Sequence, residues 1–234
     1  MYPPPYNAGS MQQQVASRVS QAMKRVFLKM TLALLVTAFV SLWGATSHAY
    51  LNFIGTHNWA IWALIIGEFA ILFGVTGAMR RMSSSLATGL FYLFAVINGL
   101  LMAPIFLIYT EASIAKTFFI TAGTFGAMAV YGYFTNRDLS RIGNILYMAI
   151  WGLIIATIVN IFMHSGPLDW IISIAGVVIF TGLTAWDTQQ IKNMALVMPD
   201  SKTGHLATMG ALMLYLDFVN LFLYLLRFFG NSRD

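Results

Sequence analysis

The sequence has no cysteine and very few charges: charged residues make up 9% of its 234 positions. The first absence excludes disulfides, thiolate metal sites and thiol catalysis. The second excludes a water-soluble globule, because a soluble domain carries about a quarter of its residues charged. In their place stand 59% apolar residues and a mean hydropathy of +0.74. The net charge of +5 comes from thirteen basic residues scattered singly or in pairs. They form no basic stripe with interleaved aromatics, so a nucleic-acid partner is not expected. The expected environment is the lipid bilayer, with basic residues held on one face of it.

A helix needs about 20 apolar residues to cross the hydrocarbon core. Seven runs of that kind are bounded by polar or turn residues: Val26–Thr46, Trp59–Met79, Leu86–Tyr109, Thr117–Phe134, Ile145–Met163, Trp170–Trp186 and Leu206–Phe229. The sixth is short and has room to extend, from about Leu168 or through Gln190. Residues 1–25 carry Pro3, Pro4 and Pro5 near their start and continue rich in Gln and Ser, which predicts a disordered cytoplasmic tail. Residues 26–230 form the membrane domain, and 231–234 a short end. Arg18, Lys24 and Arg25 before an apolar run, with Ser47-His48-Ala49 after it, have the outline of a signal peptide. The apolar run is longer than the 7–15 residues of such a peptide, so the segment is expected to stay as a helix. No repeat relates the two halves, which speaks against an inverted-repeat transporter fold.

With the amino terminus in the cytoplasm, ten basic residues fall on that side (Arg18, Lys24, Arg25, Lys29, Arg80, Arg81, Arg137, Arg141, Lys192, Lys202) and three outside (Lys116, Arg227, Arg233). That asymmetry sets the orientation. Trp59 and Trp170 then stand at the outer interface. Seven crossings place the carboxyl terminus outside, against the preference of Arg227 and Arg233, whereas six crossings and a re-entrant segment would return it to the cytoplasm.

Three acids fall inside spans: Glu68 in the second, Asp187 in the sixth and Asp217 in the seventh. A central Asp costs about 2.5–3.5 kcal/mol on the insertion scale, so such groups face the bundle interior and commonly serve an ion or proton path. They also serve as hydrogen-bonding glue between helices. Asp217 lies eleven residues past Leu206, about 16 Å deep at 1.5 Å per residue. The sixth span brings Asp187 down toward the same depth, so the two can meet. Asn220 and Tyr224 follow Asp217 at helical spacing, a polar stripe that reads as a lining.

An isolated aspartate titrates near 3.9. Two carboxyls buried together share a proton near neutral pH. A singly protonated pair would hold the sixth and seventh spans together. Loss of the proton would set two like charges against each other and free carboxylate oxygens.

Other chemistry is thinly represented. The four histidines lie in or beside loops without the clustering a zinc site needs. No G-x-S-x-G nucleophile elbow occurs. The words around the aspartates, AWDTQ and YLDFV, differ from those of intramembrane aspartyl proteases, and the seventh span has no lysine to carry a retinal. Pro104 is expected to kink the third span. No catalytic, cofactor-binding or structural metal site is expected.

The stretch GLTAWDTQQIKNM from Gly182, and LYLDFVNLFLYLLRFFG from Leu214, resemble the two carboxyl-terminal signatures of the Bax inhibitor family, also called the transmembrane Bax inhibitor motif family. MRRMSS after the second span, the long stretch from Ala95 to Tyr133 and TNRDLSRIGNIL before the fifth are similar to its bacterial branch. The resemblance covers nearly everything after residue 25. It implies an all-α fold in which the seventh span is central and surrounded by the other six. It also implies that Asp187 and Asp217 form a pH-sensitive latch over a calcium path, that Glu68 matches an acid of the second span, and that Arg80 or Arg81 matches an arginine that pairs with the latch. The basic carboxyl-terminal tail of animal members is missing here, so properties tied to that tail are not implied. The expected function is a calcium leak channel or proton-coupled cation transporter of a bacterial cytoplasmic membrane. Its partners are lipid, protons and calcium ions, calcium being cargo rather than cofactor. The alternative is a non-conducting regulator that binds other membrane proteins, such as a membrane-anchored protease or a cell-death factor.

Overall fold

The computed structural model describes residues 8–78, 83–199 and 202–231. Among these residues there is no strand. The helices are α1 (Ala8–Thr46), α2 (His48–Thr56), α3 (Asn58–Ala78), α4 (Ser84–Met102), α5 (Ile105–Ile108), α6 (Glu111–Phe134), α7 (Ser140–Met163), α8 (Gly166–Val197) and α9 (Thr203–Phe229). Seven of them are long and apolar enough to cross a bilayer, with α4 and α5 together making one crossing.

Side-chain burial is arranged for lipid. Phe119 and Phe162 are 73% and 80% exposed, and α7 buries only Gly143 and Leu153. In water such a surface would aggregate, whereas in hydrocarbon it is solvated. The buried core gathers on α9, where Leu206, Ala207, Ala211, Leu214, Leu221 and Leu226 are almost wholly enclosed. α9 packs chiefly against α8, α1, α6 and α4; α3 lies behind α4, and α7 behind α8. The principal neighbours of α9 are thus four helices rather than the six expected around it.

Several boundaries differ from expectation for local reasons. α1 begins at Ala8, so residues 8–25 are helical, not a disordered tail. Val19, Ala22, Met23 and Val26 recur at helical spacing and are all buried, and Arg18 Nη2 donates to Met198 O at 2.8 Å, tying α1 to the end of α8. The rest of the tail, residues 1–7, lies outside the described residues, as do 232–234. The third span is broken, not merely kinked, because Pro104 has no N–H to continue the ladder. Side-chain oxygens of Ser83, Thr110 and Ser165 cap α4, α6 and α8, satisfying N–H groups that a helix start leaves open. α8 runs well past both expected ends, from Gly166 to Val197.

Two glycines let helices come together. A Cβ on Gly132 would strike the backbone of Ala185, which brings α6 onto α8, and one on Gly176 would strike the ring of Tyr224, which brings α9 onto α8. At the opposite end of the bundle from the α8–α9 turn, Arg227 Nη1 approaches Asp169 Oδ1 at 3.4 Å. The last turn of α9 therefore meets the first turn of α8, as seven alternating crossings require.

Candidate functional site

α8 and α9 make the most extensive helix–helix contact in the bundle, and they carry Asp187 and Asp217, each 4% exposed. Asp187 is positioned by a run of small and polar neighbours. Thr184 and Thr188 turn their hydroxyls back onto Phe180 O (2.8 Å) and Thr184 O (2.7 Å), satisfying themselves within α8. The two carboxyl groups influence each other's ionisation, as neighbouring buried acids do. Asp187 Oδ1 and Asp217 Oδ2 are buried with no hydrogen-bond partner among the described residues, and so is Gln190 Oε1, one turn along α8 from Asp187. A buried acceptor without a donor costs about 1–3 kcal/mol, a cost that a proton shared between the two carboxyls would relieve. Tyr147 of α7 stands within electrostatic reach of both carboxyls, edge-on to Trp186 with ring centroids 5.4 Å apart.

The other expected residues do not join this pair. Asn220 donates from Nδ2 to Leu216 O of its own helix at 2.8 Å, and Tyr224 stacks on Phe180 at 5.8 Å against Gly176. The stripe of Asp217, Asn220 and Tyr224 is consequently not one continuous lining. Glu68 belongs to a separate network. Asn98 Nδ2 donates to Glu68 Oε1 at 2.5 Å, Tyr215 OH donates to Asn98 Oδ1 at 3.1 Å, and Thr37 Oγ1 lies 2.6 Å from Tyr215 OH and 2.9 Å from Ala95 O. This chain joins α3, α4, α9 and α1 around Tyr215, which is fully buried. Arg80 and Arg81 lie outside the described residues.

Two polar anchors carry no signal in the sequence beyond their residue type. Lys29 Nζ, half-buried on α1, donates to Thr88 Oγ1 at 2.8 Å and Thr208 Oγ1 at 2.7 Å. Gln189 accepts from Leu139 N at 2.9 Å and donates to Arg137 O at 2.8 Å, clamping the α6–α7 turn onto α8. An intramembrane lysine among apolar residues, and a Gln-Gln pair beside an aspartate, were the only available hints.

Residues 19–234 match the family model described as "Inhibitor of apoptosis-promoting Bax1". This chain belongs to the Bax inhibitor family. Among its relatives is the inner membrane protein YbhL of Escherichia coli K12, 45% identical over 214 residues that cover 90% of this chain and 92% of that one. An uncharacterized protein of Borreliella burgdorferi is 43% identical over 212 residues, covering 90% of this chain and 91% of the other. One from Deinococcus radiodurans is 36% identical over 224 residues, 95% of each. The match takes in both carboxyl-terminal helices, so Asp187 and Asp217 lie within the part that makes this chain a Bax inhibitor family protein.

Chemically, the pair offers hard oxygen donors and a removable proton. Calcium takes 6–8 oxygens, more than two carboxyls and an amide provide. These side chains alone therefore do not complete a closed calcium site.

Proposed function

We propose that this protein is a pH-sensitive calcium leak channel, or a proton-coupled cation transporter, of a bacterial inner membrane, gated by Asp187 and Asp217. The observation that carries this reading is the buried carboxyl pair with an unpartnered oxygen on each member. Were the pair needed only to hold helices together, well-packed apolar residues would serve at least as well, since burying ionizable groups in the membrane is costly.

With its proton in place, the pair bridges α8 and α9. When the proton leaves, two like charges face each other in a low dielectric, repulsion loosens the bridge, and the oxygens become available to a divalent cation. Protonating both carboxyls removes the charge that attracts the ion. Arg80 or Arg81 is the partner assigned to the released carboxylate. Glu68 and Asn220 flank the path without contacting the pair in the closed arrangement. The role is not enzymatic, it uses no cofactor, and calcium and protons are the cargo. The amino terminus faces the cytoplasm and the carboxyl terminus the outside, following the ten-to-three distribution of basic residues. YbhL is by its name an inner membrane protein, which supports the assignment of membrane.

The test is calcium entry into dye-loaded proteoliposomes between about pH 6 and 8, the range where paired carboxyls titrate, with Asp187→Asn/Asp217→Asn in parallel. A pH-dependent flux that the double variant alters is the expected result. Wild-type protein with no flux above empty liposomes at any pH would leave the regulatory, partner-binding role in its place.

A further inference from the structure

α1 and α6 both pack against α9, yet each makes its main contacts elsewhere than with the other. The gap between them holds two cavities. The larger, about 820 Å³, starts at Ser20, Lys24 and Tyr133 and reaches Leu34, Ala38, Phe118 and Phe218. The second, about 410 Å³, shares those last four residues and continues to Ser41, Phe106 and Glu111. Together they make one fissure that runs along the bundle, with Phe218, Val219 and Phe222 of α9 as its floor.

Small residues keep it open. α6 contributes Ala115, Ala122, Gly126 and Ala129 to its wall, and a Cβ placed on Gly126 would meet nothing within 4 Å. The hydroxyls of Thr37 and Ser41 are engaged inward, on Ala95 O and Gly99 O. Among its described lining residues, charge stands at the two ends, with Lys24 at one and Glu111 at the other. A transmembrane helix about 10 Å across and 30 Å long fills about 2,400 Å³, far more than either cavity, so the fissure suits a narrower and flexible occupant. The charge at its ends also gives that occupant a direction, anionic head at Lys24 and apolar chain toward the middle.

We infer that the fissure between α1 and α6 binds one anionic phospholipid, its phosphate at Lys24 and Ser20 and an acyl chain laid along α9 over Phe218 and Phe222. Three helices enclose the chain, which separates this lipid from those touching the bundle on one side only. Because Phe218 follows Asp217, the lipid bears directly on the helix that carries the buried pair. The inference stands whether or not the protein conducts ions.

The experiment is native mass spectrometry of the full-length protein released from detergent after incubation with dioleoyl phosphatidylglycerol or dioleoyl phosphatidylcholine. One retained lipid is expected, with phosphatidylglycerol favoured about fivefold, the size of one basic side chain's attraction for an anionic lipid surface. Lys24→Gln should abolish the preference while leaving chain binding, and Gly126→Trp should remove the retained lipid of both kinds. Ala129→Leu serves as a milder filling variant should the tryptophan disturb folding. Wild-type protein that retains no lipid or shows no preference, or filling variants that retain lipid like wild type, would overturn the inference. So would near-complete disulfide crosslinking between copies through Ala122→Cys, in a chain with no other cysteine, since a second copy would then occupy the fissure.

Discussion

Tyr224 lays its ring against Gly176, so that α9 and α8 meet where no side chain on α8 could stand. Gly176→Ala should therefore destabilise the protein by about 1–3 kcal/mol, the usual penalty of overpacking. Gly152→Ala, on a part of α7 where an added Cβ meets nothing within 4 Å, should be neutral. Thermal unfolding in one detergent compares the two.

Tyr215→Phe keeps the ring packed edge-on to Phe91 and Phe94, with centroids 5.6 and 5.9 Å away, but deletes the hydroxyl between Thr37 and Asn98. A loss of about 1–3 kcal/mol is expected, since Asn98 Oδ1 is left without its donor. The effect should shrink in an Asn98→Ala background, where that acceptor is already gone, and a double-mutant cycle reads the difference.

Gln189→Ala leaves the Leu139 N–H and the Arg137 carbonyl without their clamp. The α6–α7 turn should loosen at a cost of about 1–3 kcal/mol. Trypsin should then cut after Arg137 faster than in wild type, with the membrane helices still intact.

Asp138 accepts hydrogen bonds from Ser140, including one from its backbone N–H at 2.9 Å. Those bonds hold its carboxyl below the ordinary value of 3.8. A group with a depressed folded value stabilises fully above its unfolded value and loses that contribution as pH falls through the folded one. Asp138→Asn should thus lower the melting temperature at neutral pH. The gap between variant and wild type should close once the pH drops well below 3.8, which a pH series of melting curves will check.

The crossings were legible because the bilayer imposes about 20 apolar residues on every span, a demand that the runs come close to meeting, the short sixth, Trp170–Trp186, only once it is extended. The helix ends were not, because outside the hydrocarbon nothing in composition marks where a helix stops. α1 reaches back to Ala8 through a Gln-rich stretch whose Val19, Ala22 and Met23 are nonetheless buried, and α8 continues ten residues past Asp187. That Asp187 and Asp217 would both be buried on the neighbouring helices α8 and α9 could be anticipated by counting depth along two adjacent antiparallel spans. Partner choice could not be anticipated. Asn220 has the spacing of a lining residue but spends its amide on Leu216 O. Lys29, read from the sequence as one more basic boundary residue, donates to threonines that arrive from Thr88 and Thr208, far along the chain.

The length of α8 bears on electrical behaviour. Its 32 residues make a rod about 48 Å long in a hydrocarbon layer about 30 Å thick. Asp187 comes twenty-one residues after its start, about 31 Å along that rod. Asp217 comes fourteen residues after the start of the 27-residue α9, near the middle of that helix, so the two carboxyls sit well inside the field rather than at its edge. A charge that crosses the whole membrane does work of about 2.3 kcal/mol per 100 mV, and a proton that reaches these carboxyls from either side samples a substantial part of that drop. Protonation should therefore respond to membrane potential as well as to local pH, whichever side supplies the proton.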